Sequence, residues 1–362
     1  MIIENFVVYV NIEIISLVVF IFTLLFSNYL FPKLIDIVRF QNVIDKPTKR
    51  SSHSQNIPTL GGIVLYVCFI FGFLIIHYFD FEDSSFSIII AITILFMIGL
   101  KDDMLVLSPK TKLIAELIAS TFIIILPGMI ILNFEGFLGI TEIPWSISFI
   151  LSYVILIFII NTYNLIDGID GLAGFIGIFI ISVYSYFNYI NNNYFYLLLG
   201  ILTLGFLVAF LTFNLSKDRK IFLGDTGSLI IGLIIGFLTL NILSLDSFEL
   251  QNLGFRPQNK FLIIASILFF PAIDVGRVII MRLLNDRSPF SPDRSHMHHI
   301  LIDKGLTHFK ASLILVITAI TVFLFIYSIN TYVTVALLSI IFLFITLFTY
   351  SVLLVLDSNS EA

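Results

Sequence analysis

Residues 161–174, NTYNLIDGIDGLAG, place Asn161, Asn164, Asp167 and Asp170 at every third position of a chain that is otherwise overwhelmingly apolar. A carboxylate at a membrane boundary is costly without a partner or a task, so its default reading is a functional site. On an α-helix each step of three residues turns back by roughly 60°, so the outer pair would face opposite ways. Gly168 and Gly171 would let the chain leave helical geometry and turn all four polar groups toward one ligand. A self-capped polar turn between helices is the other reading.

Four further segments carry residues of the same kind. GLKDD ends an apolar run with Asp102 and Asp103, which repel each other and sit badly at a negative helix C-terminus unless a cation is near. Lys112, one turn into the next run, is the candidate cation; solvated helix-end charge is the alternative. FLGDTGS sets Asp225 between two glycines at a helix start. Such a carboxylate suits Mg²⁺, or Mn²⁺, because magnesium takes one or two carboxylates and leaves its other positions to water and phosphate. A plain helix cap is compatible with that role. The same loop holds Asn214. Lys49, Arg50 and His53 form a cationic group ahead of Gly61 and Gly62, whose backbone would help to hold phosphate. Anchoring at anionic lipid is the plainer account of those charges.

SPFSPDRSHMHH gathers His296, His298 and His299, three of the six histidines, within four positions and close after Arg294. Zinc would lack a cysteine or an acidic third ligand there. Hydrogen bonding to a sugar or diphosphate, with Arg294 as a bidentate phosphate clamp, fits better. His77 and His308 have no such company and read as incidental.

The elements that must position these groups follow from composition. The 362 residues are 59% hydrophobic and 12% charged, with a mean hydropathy of +1.07, against about 25% charged for a soluble domain. The expectation is an all-α polytopic integral membrane protein, without nucleic-acid partners. One cysteine, Cys68, excludes an internal disulfide framework. Eleven apolar stretches are long enough to span, some leaning on their flanks: 14–31, 60–79, 86–100, 112–132, 146–163, 172–190, 195–214, 227–245, 261–281, 311–329 and 332–355. The first has no basic n-region and reads as a retained helix. With the N-terminus outside, every Lys and Arg of the 19 except Arg256 and Lys260 falls on the inner side. The outer loops are acidic or neutral, as at Asp80, Glu82, Asp83, Glu135 and Glu142. The domain is single, 1–356, with a short cytoplasmic tail at 357–362, and the site lies in the cytoplasmic loops.

A metal-seeking carboxylate, further acids, phosphate-seeking cations and a histidine cluster on one membrane face suit phosphoryl or phosphosugar transfer. There the catalyst mainly positions groups and neutralises charge. The chain resembles the bacterial polyprenyl-phosphate N-acetylhexosamine-1-phosphate transferase family, of the glycosyltransferase family 4 type. The motifs are KRSSHSQNIPTLGG, GLKDD, NTYNLIDGIDGLAG, FLGDTGS and SPFSPDRSHMHH, from Pro47 to His299. The resemblance implies transfer of a sugar-1-phosphate from a UDP-N-acetylhexosamine to undecaprenyl phosphate. It also implies release of UMP, a cytoplasmic-membrane location among lipids, and compatibility with a homodimer. By that resemblance Asp225 is the Mg²⁺ ligand, with Asp167 lining the same cleft, and Asp102 and Asp103 handle the lipid phosphate or assist the metal. Lys112 holds phosphate, Asn161 and Asn164 face the cleft, and Asp170 lies nearer the nucleotide. Phe222 stacks on uracil, and Arg294, His296, His298 and His299 bear on sugar choice. The HMHH form resembles the N-acetylglucosamine branch more than the lipid I branch, which is the alternative. A transporter should hold its ionisable groups near the midplane instead. A CDP-alcohol phosphotransferase should show a compact motif of spaced aspartates and arginine that is absent here.

Overall fold

A computed structural model of the chain describes residues 11–40, 44–45, 57–78, 85–284, 286 and 296–358. The described helices are α1 (Ile12–Phe40), α2 (Gly61–Tyr78), α3 (Ser85–Leu105), α4 (Pro109–Ile124), α5 (Trp145–Ile166), α6 (Leu172–Ile190) and α7 (Tyr194–Asn214). They continue with α8 (Gly224–Ser244), α9 (Ser247–Asn252), α10 (Lys260–Ile267), α11 (Phe269–Leu284), α12 (Met297–Asp303), α13 (His308–Ile329) and α14 (Val335–Ser358). Two small antiparallel pairs were not anticipated: β1 (Ile44–Asp45) with β2 (Ile57–Pro58), and β3 (Asn133–Phe137) with β4 (Ile140–Glu142).

Among the described residues, seven helices are long and apolar enough to cross a membrane, or eight if the bent pair α10–α11 is one span. The chain is an all-α polytopic membrane protein. The ninth apolar stretch is not one straight rod, because α10 and α11 meet at 74°. The first helix runs through Pro32 to Phe40, beyond the expected end at 31, since a proline is tolerated where neighbours compensate for its lost bond. At the other end α14 continues to Ser358, past the expected boundary at 356.

The axis of the molecule is α8. Its apolar stretch is wholly buried, with Ile, Leu and Phe on every side, as a helix enclosed by other helices requires. α5, α3, α2 and α6 pack around it. Small residues set the closest approaches: a Cβ on Gly232 would lie 2.9 Å from Ile160 Cα, and one on Gly62 would lie 2.3 Å from Gly227 N. Backbones can come that near only where side chains are absent. By contrast Leu25 on α1 and Phe344 and Leu347 on α14 are more than half exposed, an apolar surface suited to lipid rather than water. At about 1.5 Å per residue α8 is roughly 30 Å long. Its N-terminus meets the ends of α3 and α5 and the starts of α2 and α4 on one side of the bundle. Its C-terminus, where Lys260 donates to Leu243 O, lies on the other.

Candidate active site

Gly224 opens α8 with φ of +73°, a left-handed turn that glycine adopts without strain. The turn aims the first amides of α8 at Asp103. Asp225 N donates to Asp103 Oδ1 at 2.8 Å, and Thr226 N and Oγ1 donate to Oδ2 at 3.0 and 2.5 Å. Asp103 thus caps α8 from another helix, both oxygens engaged with groups that would otherwise lack partners. The residue expected to handle the lipid phosphate or assist the metal thus has both oxygens engaged by the head of α8.

The cap leaves Asp225 in the first turn of α8, at a positive helix end where an anion is favoured. Its Oδ2 lies 2.8 Å from Lys112 Nζ, and its Oδ1 accepts from Asn164 Nδ2 at 2.5 Å. The same ammonium is 2.5 Å from Asp102 Oδ2, while Asp102 Oδ1 accepts from Leu107 N. Asn164 also donates to Ser228 Oγ at 2.8 Å. Lys112, Asp102, Asp225 and Asn164 are therefore one constellation, drawn from α4, α3, α8 and α5.

The four polar residues of 161–170 do not turn together, in contrast to the expectation. Helix α5 persists to Ile166, which fixes their directions. Asn161 points away from Asp225 and donates to Glu116 Oε2 and to Ile157 O. Asp167 ends the helix and, among the described residues, has no hydrogen-bond partner for its carboxylate. Burial, then the fields of Asp225, Asp103 and Asp170, pushes its carboxyl well above the usual range. Asp170 is held differently: Lys220 Nζ and His308 Nδ1 lie 2.5 and 3.1 Å from its Oδ2. Burial opposes ionisation there, but those two partners outweigh it and hold the carboxyl below its ordinary value. His308 is thus not incidental. Nor is Asn214 open to a ligand, because it ties two loops, accepting from Gly171 N at 2.7 Å and donating to Ile221 O at 3.1 Å.

The amides of Gly61 and Gly62 are spent on Phe222 O and Leu223 O, each at 3.0 Å, so they are not a phosphate cradle. Phe222 lies beneath Lys220, whose Nζ is 5.6 Å from the ring centre. The histidines gather at the start of α12. The His296 and His298 rings stack at 5.6 Å, and His298 and His299 are 4.3 Å apart. His298 is 1% exposed, and burial pushes its pKa down to about 3, so it is a neutral imidazole at physiological pH. A Cβ on Gly168 would lie 2.4 Å from His298 Nε2, which brings this cluster against the loop of Asp167. Lys49, Arg50, His53 and Arg294 lie outside the described residues.

Among the described residues no group of three or more His, Cys, Asp or Glu side chains is arranged to hold a metal ion. The donor set nonetheless fits magnesium, which is content with one or two carboxylates beside substrate phosphate and water. A cationic group already stands between the Asp102 and Asp225 carboxylates, so the charge of the position suits a cation. Sequence reasoning passed over Glu116, 1% exposed on α4, and Asp274, fully buried on α11. Both are ionisable residues inside apolar helices, and that alone was the available signal.

Residues 85–243 match glycosyl transferase family 4. The chain is 28% identical over 278 residues to a probable undecaprenyl-phosphate N-acetylglucosaminyl 1-phosphate transferase of Bacillus subtilis, covering 75% of this chain and 73% of that one. It is 26% identical over 288 residues to an undecaprenyl-phosphate alpha-N-acetylglucosaminyl 1-phosphate transferase of Salmonella typhi, covering 76% and 74%. It is 25% identical over 298 residues to a decaprenyl-phosphate N-acetylglucosaminephosphotransferase of Mycolicibacterium smegmatis, covering 77% and 73%. The segment similar to glycosyl transferase family 4 begins with α3 and ends within α8, and so contains Asp102, Lys112, Asn164 and Asp225.

Proposed function

We propose that the protein transfers N-acetylglucosamine-1-phosphate from a UDP-sugar to undecaprenyl phosphate, the first membrane step of a cell-envelope polysaccharide. An oxygen of the lipid phosphate attacks the phosphorus that carries the sugar. The bond from that phosphorus to the bridging oxygen breaks, and UMP leaves with the oxygen. The observation that carries the reading is the constellation at the head of α8, where Asp225, Asp102, Lys112 and Asn164 meet at one end of a buried helix. The relatives named for this reaction support the choice of substrates.

On this reading Asp225 and Asp167 are the residues that would hold Mg²⁺, or Mn²⁺ in its place. When bound, the ion offsets the repulsion between a lipid phosphate and a diphosphate in a low-dielectric site. Lys112 supplies a positive charge to phosphate, and Asp102 and Asn164 hold the Lys112 and Asp225 side chains in place. Asp103 sets the start of α8 and acts on substrate through that geometry. Asp170, whose buried Oδ1 has no hydrogen bond among the described residues, offers an acceptor to the nucleotide near the Phe222 ring. His296, His298 and His299 take the sugar and its phosphate, with Arg294, Lys49, Arg50 and His53 as further phosphate-seeking groups. A phosphate monoester has a second pKa of roughly 6 and is mostly dianionic near neutral pH, so direct attack needs little help from a base.

The positive-inside distribution supports eleven spans with the N-terminus outside and the head of α8 facing the cytoplasm of a bacterial cytoplasmic membrane. A transporter reading is not favoured, because the acids gather at one end of α8 rather than at its middle. The test is a radiolabelled transfer assay on purified protein with undecaprenyl phosphate, Mg²⁺ and a panel of UDP-sugars. Labelled lipid diphosphate from UDP-N-acetylglucosamine is expected; no product with any donor of the panel would reject the reading.

A further inference from the structure

We propose that Asp274 is a positioning residue for His296, fixing its proton on Nδ1 so that Nε2 is the nitrogen offered to the sugar-phosphate donor. Asp274 lies on α11, is fully buried, and has both oxygens engaged with the start of α12. Its Oδ2 is 2.8 Å from His296 Nδ1, and its Oδ1 accepts from Met297 N at 2.7 Å. A carboxylate out of water is tolerated only when its lone pairs are satisfied. Here they are satisfied by the very segment that carries the histidines.

Two consequences follow from the chemistry of the groups. His296 is the N-cap residue of α12 and supplies no side-chain cap, so the orphan amide of Met297 is taken by Asp274 instead. An ionised carboxylate only accepts, so the Nδ1 facing it must bear the proton. That leaves Nε2 as an acceptor in the neutral ring and as a donor in the imidazolium, and the carboxylate behind the ring fixes its orientation. Among the described residues, the charged and titratable groups facing this pair are Arg277 on α11 and His298 on α12, with His299 and, from α13, His308 acting on His298. Arg277 is 6% exposed, with Nη2 4.0 Å from Asp274 Oδ1, and favours the ionised carboxylate. Nothing in the phosphosugar reading requires an acid at this position; the inference rests on that reading only in taking His296 to meet the donor.

The exchange Asp274→Asn preserves size and an oxygen for Met297 N, but it turns an NH₂ toward His296 Nδ1 and moves the ring proton to Nε2. Transfer should be measured for Asp274→Asn, His296→Ala and the double variant, with UDP-N-acetylglucosamine and undecaprenyl phosphate varied separately and pH scanned. The expected result is a loss of about 10–100-fold in kcat/KM for Asp274→Asn, seen with the donor and accompanied by a displaced pH limb. No further loss is expected when the exchange is made in His296→Ala, because residues acting as a unit are not additive. Asp274→Glu should restore part of the activity. Multiplicative losses in the double variant, or Asp274→Asn within threefold of the parent while His296→Ala is impaired, would overturn the positioning role alone. A His296→Ala variant with unchanged donor kinetics would overturn both this role and the donor-binding reading. Should Asp274→Asn not fold, histidine-selective ¹⁵N spectra of the unaltered protein decide the matter. A neutral His296 protonated on Nε2 would sink the proposal, and one protonated on Nδ1 would support it.

Discussion

Lys112 reaches from the first turn of α4 to Asp225 at the head of α8, Nζ to Oδ2 at 2.8 Å. The same ammonium lies 2.5 Å from Asp102, so one positive charge serves two acids that are far apart in the chain. Without it the two carboxylates would confront each other in a partly buried site, where repulsion is screened little. Lys112→Met is therefore expected to lower transfer by about 100-fold or more, since electrostatic stabilisation of that order is typical of a lost charged donor. Lys112→Arg should not restore the parent rate, because a planar fork does not replace a compact ammonium between two oxygens. Initial rates at saturating substrates check this; a Met variant within tenfold of the parent would remove Lys112 from the site.

Asp167 and Asp170 are three residues apart, yet their ionisation should act on stability in opposite directions. The folded pKa of Asp167 is raised by burial and by neighbouring acids. Its ionised form therefore costs stability, increasingly as pH rises from the unfolded value of about 3.9 through the folded one. Asp167→Asn should abolish transfer yet raise the melting temperature near pH 7, by about 2–4 °C, and the gain should shrink in acid. Asp170 is the reverse: Lys220 and His308 lower its folded pKa. Its contribution is present above the unfolded value and is lost as pH falls through the folded one. Asp170→Asn should lower the melting temperature at pH 7, with the difference fading in acid. Melting curves at two pH values separate the two.

The head of α8 was largely legible in the sequence. The spacing of GLKDD, Lys112 and FLGDTGS already places two acids and a cation at helix ends, and Asn164 falls beside them because α5 stays helical. What could not be read was direction. Asn161 turns toward Glu116, and the position of that acid on α4 becomes meaningful only once α4 and α5 pack. Asp103 reads as a second catalytic acid, because nothing local reveals that its oxygens cap a helix more than 120 positions away. His308 looks solitary along the chain, since its partner Asp170 is supplied by tertiary packing alone. The bend between α10 and α11 is also silent, because a broken apolar run has the same composition as a straight one.

Asn161 and Glu116 give a prediction about folding rather than chemistry. Glu116 is 1% exposed, and its Oε2 accepts from Asn161 Nδ2. Removing a partner from a buried charged group exposes the full desolvation penalty, typically about 1–3 kcal/mol or more. Asn161→Ala should therefore be markedly destabilised, and adding Glu116→Gln should recover much of the loss, because the uncharged amide no longer needs the same partner. Thermal stability of the single and double variants in one detergent tests this. Equal or greater destabilisation in the double variant would show that the pair is not coupled.

The contact between Gly168 and His298 links the acidic loop to the histidine helix and can be probed with one methyl group. A Cβ at position 168 would lie 2.4 Å from His298 Nε2 and 3.0 Å from Cε1, closer than such atoms approach. The ring has little room to yield, because His298 is buried, stacked on His296 and packed at a tilt against His299. Gly168→Ala must then shift α12 or the end of α5. If the histidines take the donor, the shift should raise the KM for UDP-N-acetylglucosamine by about tenfold, the scale at which a small misplacement is felt. The KM for undecaprenyl phosphate should change less. Equal effects on the two substrates would place the histidine helix outside donor binding. Trimming the ring as well, in Gly168→Ala with His298→Ala, should relieve the clash. The double variant should then resemble His298→Ala alone in both KM values and in thermal stability, since no atom remains for the methyl group to displace.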